Sequence, residues 1–176
     1  MVAVLLLSTS LKTCCCESFI RLEENIAEKV SRLNRTTTAR DLYDLGWQAT
    51  HQRDVGALDT DLIRRLVVLK IWVDAHGVSS ATCSWWPGHE PRPFDPEDWL
   101  RTQDTAEVDL DDIGALAVPT PSLDDLNATI HAHFGFLREL GKDEQQLALA
   151  RAQDRPVVLR LLTELPGSRL ANLGIY

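Results

Sequence analysis

The chain has 176 residues, enough for one domain or one domain and a fraction of another. Its hydrophobic content of 44% and charged content of 25% are those of a soluble globular protein. The formal net charge is −8, and residues 77–125 carry two basic against eleven acidic side chains, which argues against a pure nucleic-acid-binding protein.

The N-terminal segment does not have the features of a signal peptide. No basic side chain precedes the apolar run VAVLLL, which is six residues long, and no A-x-A cleavage site follows it. The run is also too short to span a bilayer. Two interpretations remain: residues 2–7 form a buried strand, or residues 1–21 are a leader unrelated to the rest of the chain.

The four cysteines do not indicate a metal or disulfide site. Three are contiguous at positions 14–16 and the fourth is Cys83, so the CxxC spacing of a zinc site is missing. A reducing cytoplasm is the simplest environment for such a chain.

Apolar spacing predicts three helices in the first half of the chain. The first covers residues 22–35, where apolar residues recur at intervals of four, four and three. Thr36, Thr37 and Thr38 supply a turn and an N-cap for a second helix over about 39–51. Asp59 or Thr60 caps a third helix, which ends at Gly77 and places Trp72 in the core.

The second half of the chain contains more breaks. Prolines and glycines predict an irregular loop over residues 78–96, followed by a short capped helical turn at FDPEDWL. Further helices are expected from Ser122 or Leu123 to Leu140, from Asp143 to Gln153, and over residues 157–165. The fold is therefore predicted to be mainly α, with little or no sheet.

Basic side chains of the kind that bind phosphate groups are concentrated in residues 22–45, LEENIAEKVSRLNRTTTARDLYDL. Lys29 lies on the first helix, with Arg32 and Arg35 on a broadly common side. An ammonium group next to transferring phosphates stabilises the charge that develops in the transition state. The alternative is an ordinary solvated face, with Glu28 and Arg32 forming an i,i+4 pair.

The second helix adds a pair of carboxylates. Asp41 and Asp44 are three residues apart, so they share a helix face and can converge on one cation or on the lysine. Arg40 precedes them at the helix start. The alternative here is that Asp41 only favours the helix N-terminus and that Arg40 pairs with Asp44.

The sequence EENIAEK, followed on the next helix by RDLYDL, resembles the second half of the active site in AbiEii/AbiGii nucleotidyltransferase toxins. These are the toxins of type IV toxin–antitoxin and phage-defence systems. The resemblance covers residues 22–176 and implies the helical lobe of an α/β nucleotidyltransferase-like toxin. It implies catalytic roles for Lys29, Asp41 and Asp44, and nucleotide contacts from Lys29, Arg32, Arg35 and Arg40.

The activity that the resemblance implies is transfer of a nucleotide from a nucleoside triphosphate to an RNA acceptor such as tRNA. In the family Mg²⁺ accompanies the triphosphate, and the expected partner is a cognate antitoxin of winged-helix type, with no membrane association. The expected location is the cytoplasm.

One half of such a site is not found in the sequence. A Gly-Ser motif followed by an Asp-x-Asp pair should lie upstream, and residues 1–21 contain neither. We therefore expect residues 22–176 to be the C-terminal part of a truncated, catalytically impaired toxin, with weak or lost Mg²⁺–triphosphate binding and no metal ligands assigned. The sharp onset of the resemblance near Leu22 favours the leader interpretation of residues 1–21.

Two other functions remain open. The helical portion could be a non-enzymatic module that binds an antitoxin or RNA. It could also be a plain helical domain in which the motif is a coincidence.

Overall fold

The structure is a computed structural model, which describes residues 21–51, 57–77, 87, 89–105, 108–109, 113 and 121–165. Within these ranges the chain forms seven α-helices, two longer 3₁₀ helices and no strand. The α-helices are α1 Leu22–Arg35, α2 Ala39–Thr50, α3 Thr60–His76, α4 Pro96–Thr105, α5 Leu123–His133, α6 Lys142–Ala148 and α7 Arg155–Glu164. The 3₁₀ helices are Gly135–Arg138 and Ala152–Asp154. The prediction of a mainly α fold is confirmed.

Side-chain caps set the starts of three helices, as the sequence predicts. Thr38, Asp59 and Ser122 each accept a hydrogen bond from the backbone N–H three residues later, at 3.3, 2.9 and 3.1 Å respectively. Such a cap satisfies one of the N–H groups that have no partner inside the helix. The cap positions therefore fix where α2, α3 and α5 begin.

Two helices differ in length from the prediction. The turn expected at FDPEDWL is a ten-residue helix, α4. Asp95 caps its N-terminus, and its own residues Trp99 and Leu100 are buried in the core. The helix expected through residue 140 ends at His133, where Phe134 turns into the core. A 3₁₀ helix continues the chain from there.

The last two helices start slightly earlier than predicted. Lys142 begins α6, because the Glu144 carboxylate accepts a hydrogen bond from Gly141 N–H at 2.7 Å. The final helix, α7, starts at Arg155 rather than at residue 157. Pro156 fits its first turn, where the missing N–H of proline costs nothing.

One large apolar core joins the helices, and Ala39 and Ile113 form a second, small cluster. The longest interface lies between α1 and α3, α2 packs on α5, and α3 also packs on α6. Gly46 allows the close approach of α2 to α5, because a Cβ at this position would lie 2.8 Å from Leu126 Cδ2. Trp72 is buried as predicted, and its Nε1 donates to Arg151 O at 2.8 Å.

Asp154 ties the segment between α6 and α7 together. Its buried carboxylate accepts hydrogen bonds from Gln146 Nε2 at 2.7 Å and from Arg151 Nε at 3.0 Å. The hydrogen bond from Gln146 is the main reason why the pKa of Asp154 is lowered from its ordinary value of 3.8, and the Arg151 guanidinium adds to it.

The lowered pKa predicts a pH-dependent contribution to stability. The native state favours ionised Asp154, so its stabilisation is present above pH 3.8 and is lost as the pH falls through the native pKa. We expect Asp154→Asn to lower the free energy of unfolding by about 1 kcal/mol at neutral pH, with a cost that shrinks on acidification. Urea unfolding of the wild type and Asp154→Asn, from neutral pH to below pH 3.8, measures the difference in their free energies of unfolding. A difference that does not change with pH would contradict the prediction.

Several predictions concern residues outside the described ranges. These are the strand or leader at residues 1–20, the four cysteines and most of the loop over residues 78–96. Among the described helices, none combines the length and the hydropathy that crossing a bilayer requires.

Candidate functional site

The first two helices form an antiparallel hairpin with polar side chains along its seam. On α1, Asn25, Lys29 and Arg32 recur at intervals of four and three, so they share one face. They meet a matching face of α2: Gln48 donates to Asn25, Lys29 contacts Asp44, and Arg32 contacts Asp41. The short turn at residues 36–38 brings these two faces together.

Lys29 lies at the centre of this seam. Its Nζ is 2.5 Å from Asp44 Oδ2 and 3.4 Å from Asp41 Oδ1. Only 13% of the lysine side chain is exposed, whereas Asp44 is 33% exposed and borders solvent. The ammonium is therefore held between two carboxylates at the edge of the core.

The carboxylate of Asp41 is the fixed point of the site, because it is almost fully buried and is bound on both oxygens. Oδ1 accepts from Lys29, while Oδ2 lies 3.2 Å from the Arg32 guanidinium and 3.1 Å from the Thr38 hydroxyl. The same hydroxyl caps α2, so the cap and the ion pairs share one residue. Asp41 therefore orients both cations.

The three arginines predicted to bind nucleotide lie in different places. Arg32 is half-exposed beside Asp41, and Arg40 is exposed in the first turn of α2 without an ion pair to any described residue. Arg35 points instead towards α3, where it contacts Asp74 Oδ2 at 2.7 Å. The expectation that Arg35 shares the side of Arg32 is therefore not met.

Asp74, the partner of Arg35, has a raised pKa because burial penalises its charged form. The attraction of Arg35 opposes this effect without cancelling it. The Arg35–Asp74 pair belongs to the interface between α1 and α3, and nucleotide binding by Arg35 stays a prediction.

Neither ion pair of the solvated-face alternative is formed. Glu28 pairs with Lys70 of α3 at 2.9 Å rather than with Arg32, and Asp44 pairs with Lys29 rather than with Arg40. Lys29, Arg32, Asp41 and Asp44 instead form one cluster across two helices, which we call the seam cluster.

The seam cluster does not suit a resident Mg²⁺ ion. Over the part of the chain that the structure describes, no group of three or more His, Cys, Asp or Glu side chains could hold a metal. Both carboxylates face the Lys29 ammonium, and a like charge so close opposes a second cation. Of the two cations, Arg32 is half-exposed and can offer its guanidinium to an anion such as a phosphate group, whereas Lys29 lies mostly buried behind it.

Sequence reasoning missed two aromatic residues beside this cluster. Trp47 is 46% exposed, and His51 stacks on it with ring centroids 4.3 Å apart. Helical periodicity places both residues on the face of α2 that carries Asp44, since they follow it by three and seven positions. That spacing could have been noticed in the sequence, but the exposure of Trp47 could not.

Comparison with known proteins gives one informative similarity. No family model and no curated protein matches the chain. Among solved structures it is similar to MenT4, a nucleotidyltransferase toxin from Mycobacterium tuberculosis H37Rv, with 32% identity and a TM-score of 0.68. The match covers 85% of this chain and 46% of MenT4, so the chain spans about half the length of that toxin. The chain has the fold of a helical lobe of a nucleotidyltransferase toxin.

Proposed function

We propose that this chain acts as a toxin nucleotidyltransferase of the AbiEii/AbiGii type, which transfers a nucleotide from a nucleoside triphosphate to an RNA acceptor such as tRNA. The seam cluster carries the proposal, because it brings Lys29 and Arg32 together at the edge of a lobe that is similar to part of a nucleotidyltransferase toxin. Anchored cations of this kind are what a transferring phosphate group requires.

Lys29 would contact the phosphates directly. Its ammonium has three donor hydrogens, and the two carboxylates account for two of them. The third can reach a phosphate oxygen at the exposed edge, and Arg32 can add a guanidinium donor from its half-exposed side chain. Asp41 is then a positioning residue, which holds both cations without meeting the substrate.

Asp44 is suited to the acceptor side of the reaction. Lys29 binds its Oδ2, and no described residue binds Oδ1, so this oxygen can accept a proton from an RNA hydroxyl. The hydroxyl oxygen would attack the α-phosphorus, the bond to the bridging oxygen would break, and pyrophosphate would leave. Arg40, exposed near the start of the same helix, adds positive charge for the RNA.

Magnesium would bind together with the triphosphate and neutralise part of its charge. The seam cluster supplies no ligand set for it, so strong transfer by this chain alone is not expected. A cognate antitoxin of winged-helix type and a cytoplasmic location complete the proposal, supported by the resemblance to a toxin.

Nucleotide binding tests the proposal. Because the Mg²⁺-binding half of the site is not found in residues 1–21, calorimetry with each nucleoside triphosphate and Mg²⁺ should detect weak but saturable binding to the wild-type chain. Lys29→Ala should weaken it about tenfold or more, since hydrogen bonds between charged groups contribute about 1.5–3 kcal/mol. Lys29→Arg should retain part of the affinity. Where binding is found, labelled triphosphates and tRNA then measure transfer.

Lys70→Ala is the matched control for this experiment. Lys70 is also a partly buried lysine that pairs with a carboxylate of α1, but it lies on α3 and outside the seam cluster. Thermal unfolding of each variant shows whether the protein is still folded. Equal weakening by Lys70→Ala, or no binding of any triphosphate, would refute the proposal.

A further inference from the structure

Trp47 presents an aromatic surface to solvent beside the seam cluster. It is 46% exposed, and Leu149 is the other large apolar side chain with comparable exposure among the described residues. Trp47 extends from the outer face of α2, while Gly46 and Gln48 on either side of it are buried. The indole is therefore accessible to a ligand and is not one of the buried residues of the core.

His51 holds the indole in place from behind. The two rings are nearly parallel, with an interplanar angle of 16° and centroids 4.3 Å apart. His51 Nδ1 lies 2.8 Å from Trp47 O and 2.9 Å from Thr50 Oγ1, so polar contacts to its own helix also hold the imidazole. One face of the indole is thus covered by a fixed ring, and the aromatic surface is ordered before any ligand arrives.

A strip along α2 carries charge and aromatic surface in a line, with Asp44 at the border between this strip and the seam with α1. Arg40, Asp44, Trp47 and His51 follow one another at intervals of four, three and four, which is one helix face. Arg40 precedes Trp47 by seven residues, about 10 Å along the helix axis. Arg40 directly precedes Asp41, the partner of Arg32, and Trp47 directly precedes Gln48, the partner of Asn25.

We propose that Trp47, backed by His51, stacks against the nucleobase of the nucleoside triphosphate whose phosphates bind at the seam cluster. The inference rests on the proposed function, because it takes the phosphates to lie at Lys29 and Arg32. With the phosphates there, the base of the same nucleotide reaches the indole one helical turn beyond Asp44. Stacking on an aromatic face tolerates any base, so the site should accept several nucleotides with similar affinity.

Inorganic tripolyphosphate separates the contact with the base from the contact with the phosphates. Calorimetry on the full chain compares each nucleoside triphosphate with tripolyphosphate, both with Mg²⁺. We expect Trp47→Ala to weaken nucleoside triphosphate binding about tenfold, the range seen when base stacking is removed, and to leave tripolyphosphate binding unchanged. Trp47→Phe should stay within about threefold of wild type, because it keeps an aromatic face.

Two comparisons make the result specific. Lys29→Ala should weaken the binding of both ligands. Leu149→Ala, which removes the other large exposed apolar side chain of the described ranges, should change neither. Unchanged triphosphate affinity in Trp47→Ala would overturn the inference and leave the proposed function standing. If the same variant instead weakened only a single-stranded RNA oligonucleotide, the base would belong to the acceptor, and the inference would also fail. Absence of binding by both phosphate ligands to the wild-type chain would overturn both.

Discussion

Replacing Asp41 with alanine is expected to lower the free energy of unfolding by about 3 kcal/mol, because it removes the buried carboxylate that pairs with two cations. The side chain of Asp41 is 1% exposed and contacts Lys29, Arg32 and the Thr38 hydroxyl. Lys29 would keep only Asp44, at the exposed edge of the site. The half-exposed Arg32 can turn to water, which places the cost near the lower end for a broken buried ion pair.

Asp61→Ala is the control for the loss of a carboxylate. Asp61 also pairs with an arginine, Arg64, at 2.6 Å, but its side chain is 69% exposed. Solvent screens that pair, so its removal should cost less than about 1 kcal/mol. Urea unfolding at neutral pH measures both variants, and similar costs for the two would contradict the assignment of Asp41 as the fixed point of the site.

Trp99→Ala is expected to have the largest effect on stability, about 4 kcal/mol, through the cavity that it leaves. Trp99 is fully buried in α4 and makes an edge-on contact with Phe134 at 6.4 Å. Its Nε1 donates to Val30 O of α1 at 3.1 Å, directly after Lys29 in the chain. The indole thus holds α4 against the helix that carries the candidate site.

Trp99→Phe separates the lost volume from the lost hydrogen bond. Phenylalanine retains most of the apolar contact and gives up the indole N–H, which should cost about 1–2 kcal/mol. Denaturant unfolding should show a lower midpoint for alanine than for phenylalanine, with similar m-values. If the two variants were equally stable, the packing role assigned to Trp99 would be wrong.

Local patterns were sufficient to predict the hairpin and its cluster. The caps at Thr38 and Asp59 are set by side chains within three residues of the N–H groups that they satisfy. Lys29, Asp41 and Asp44 meet because one short turn folds α1 back along α2, so helical periodicity alone brings them together. The role of these residues in catalysis stays a prediction.

Partners that are distant in sequence were not predictable in this way. Arg35 meets Asp74, which lies 39 residues further along the chain, and periodicity does not say which helix packs against a given face. The end of α5 at His133 likewise depends on the burial of Phe134 in the shared core. Trp47 is exposed although its neighbour Gly46 packs against α5, and periodicity alone does not say which of the two faces the core.

The short turn between α1 and α2 also has a consequence for the order of events during folding. The Lys29–Asp41 contact spans 12 residues of chain, whereas the hydrogen bond from Trp99 to Val30 spans 69. Short loops lose less entropy on closure, and local contacts form faster than distant ones. We expect the hairpin charges to meet while the chain is still largely unfolded, and the arrival of α4 to limit the folding rate. Trp99→Phe should then slow refolding more than Arg32→Ala does.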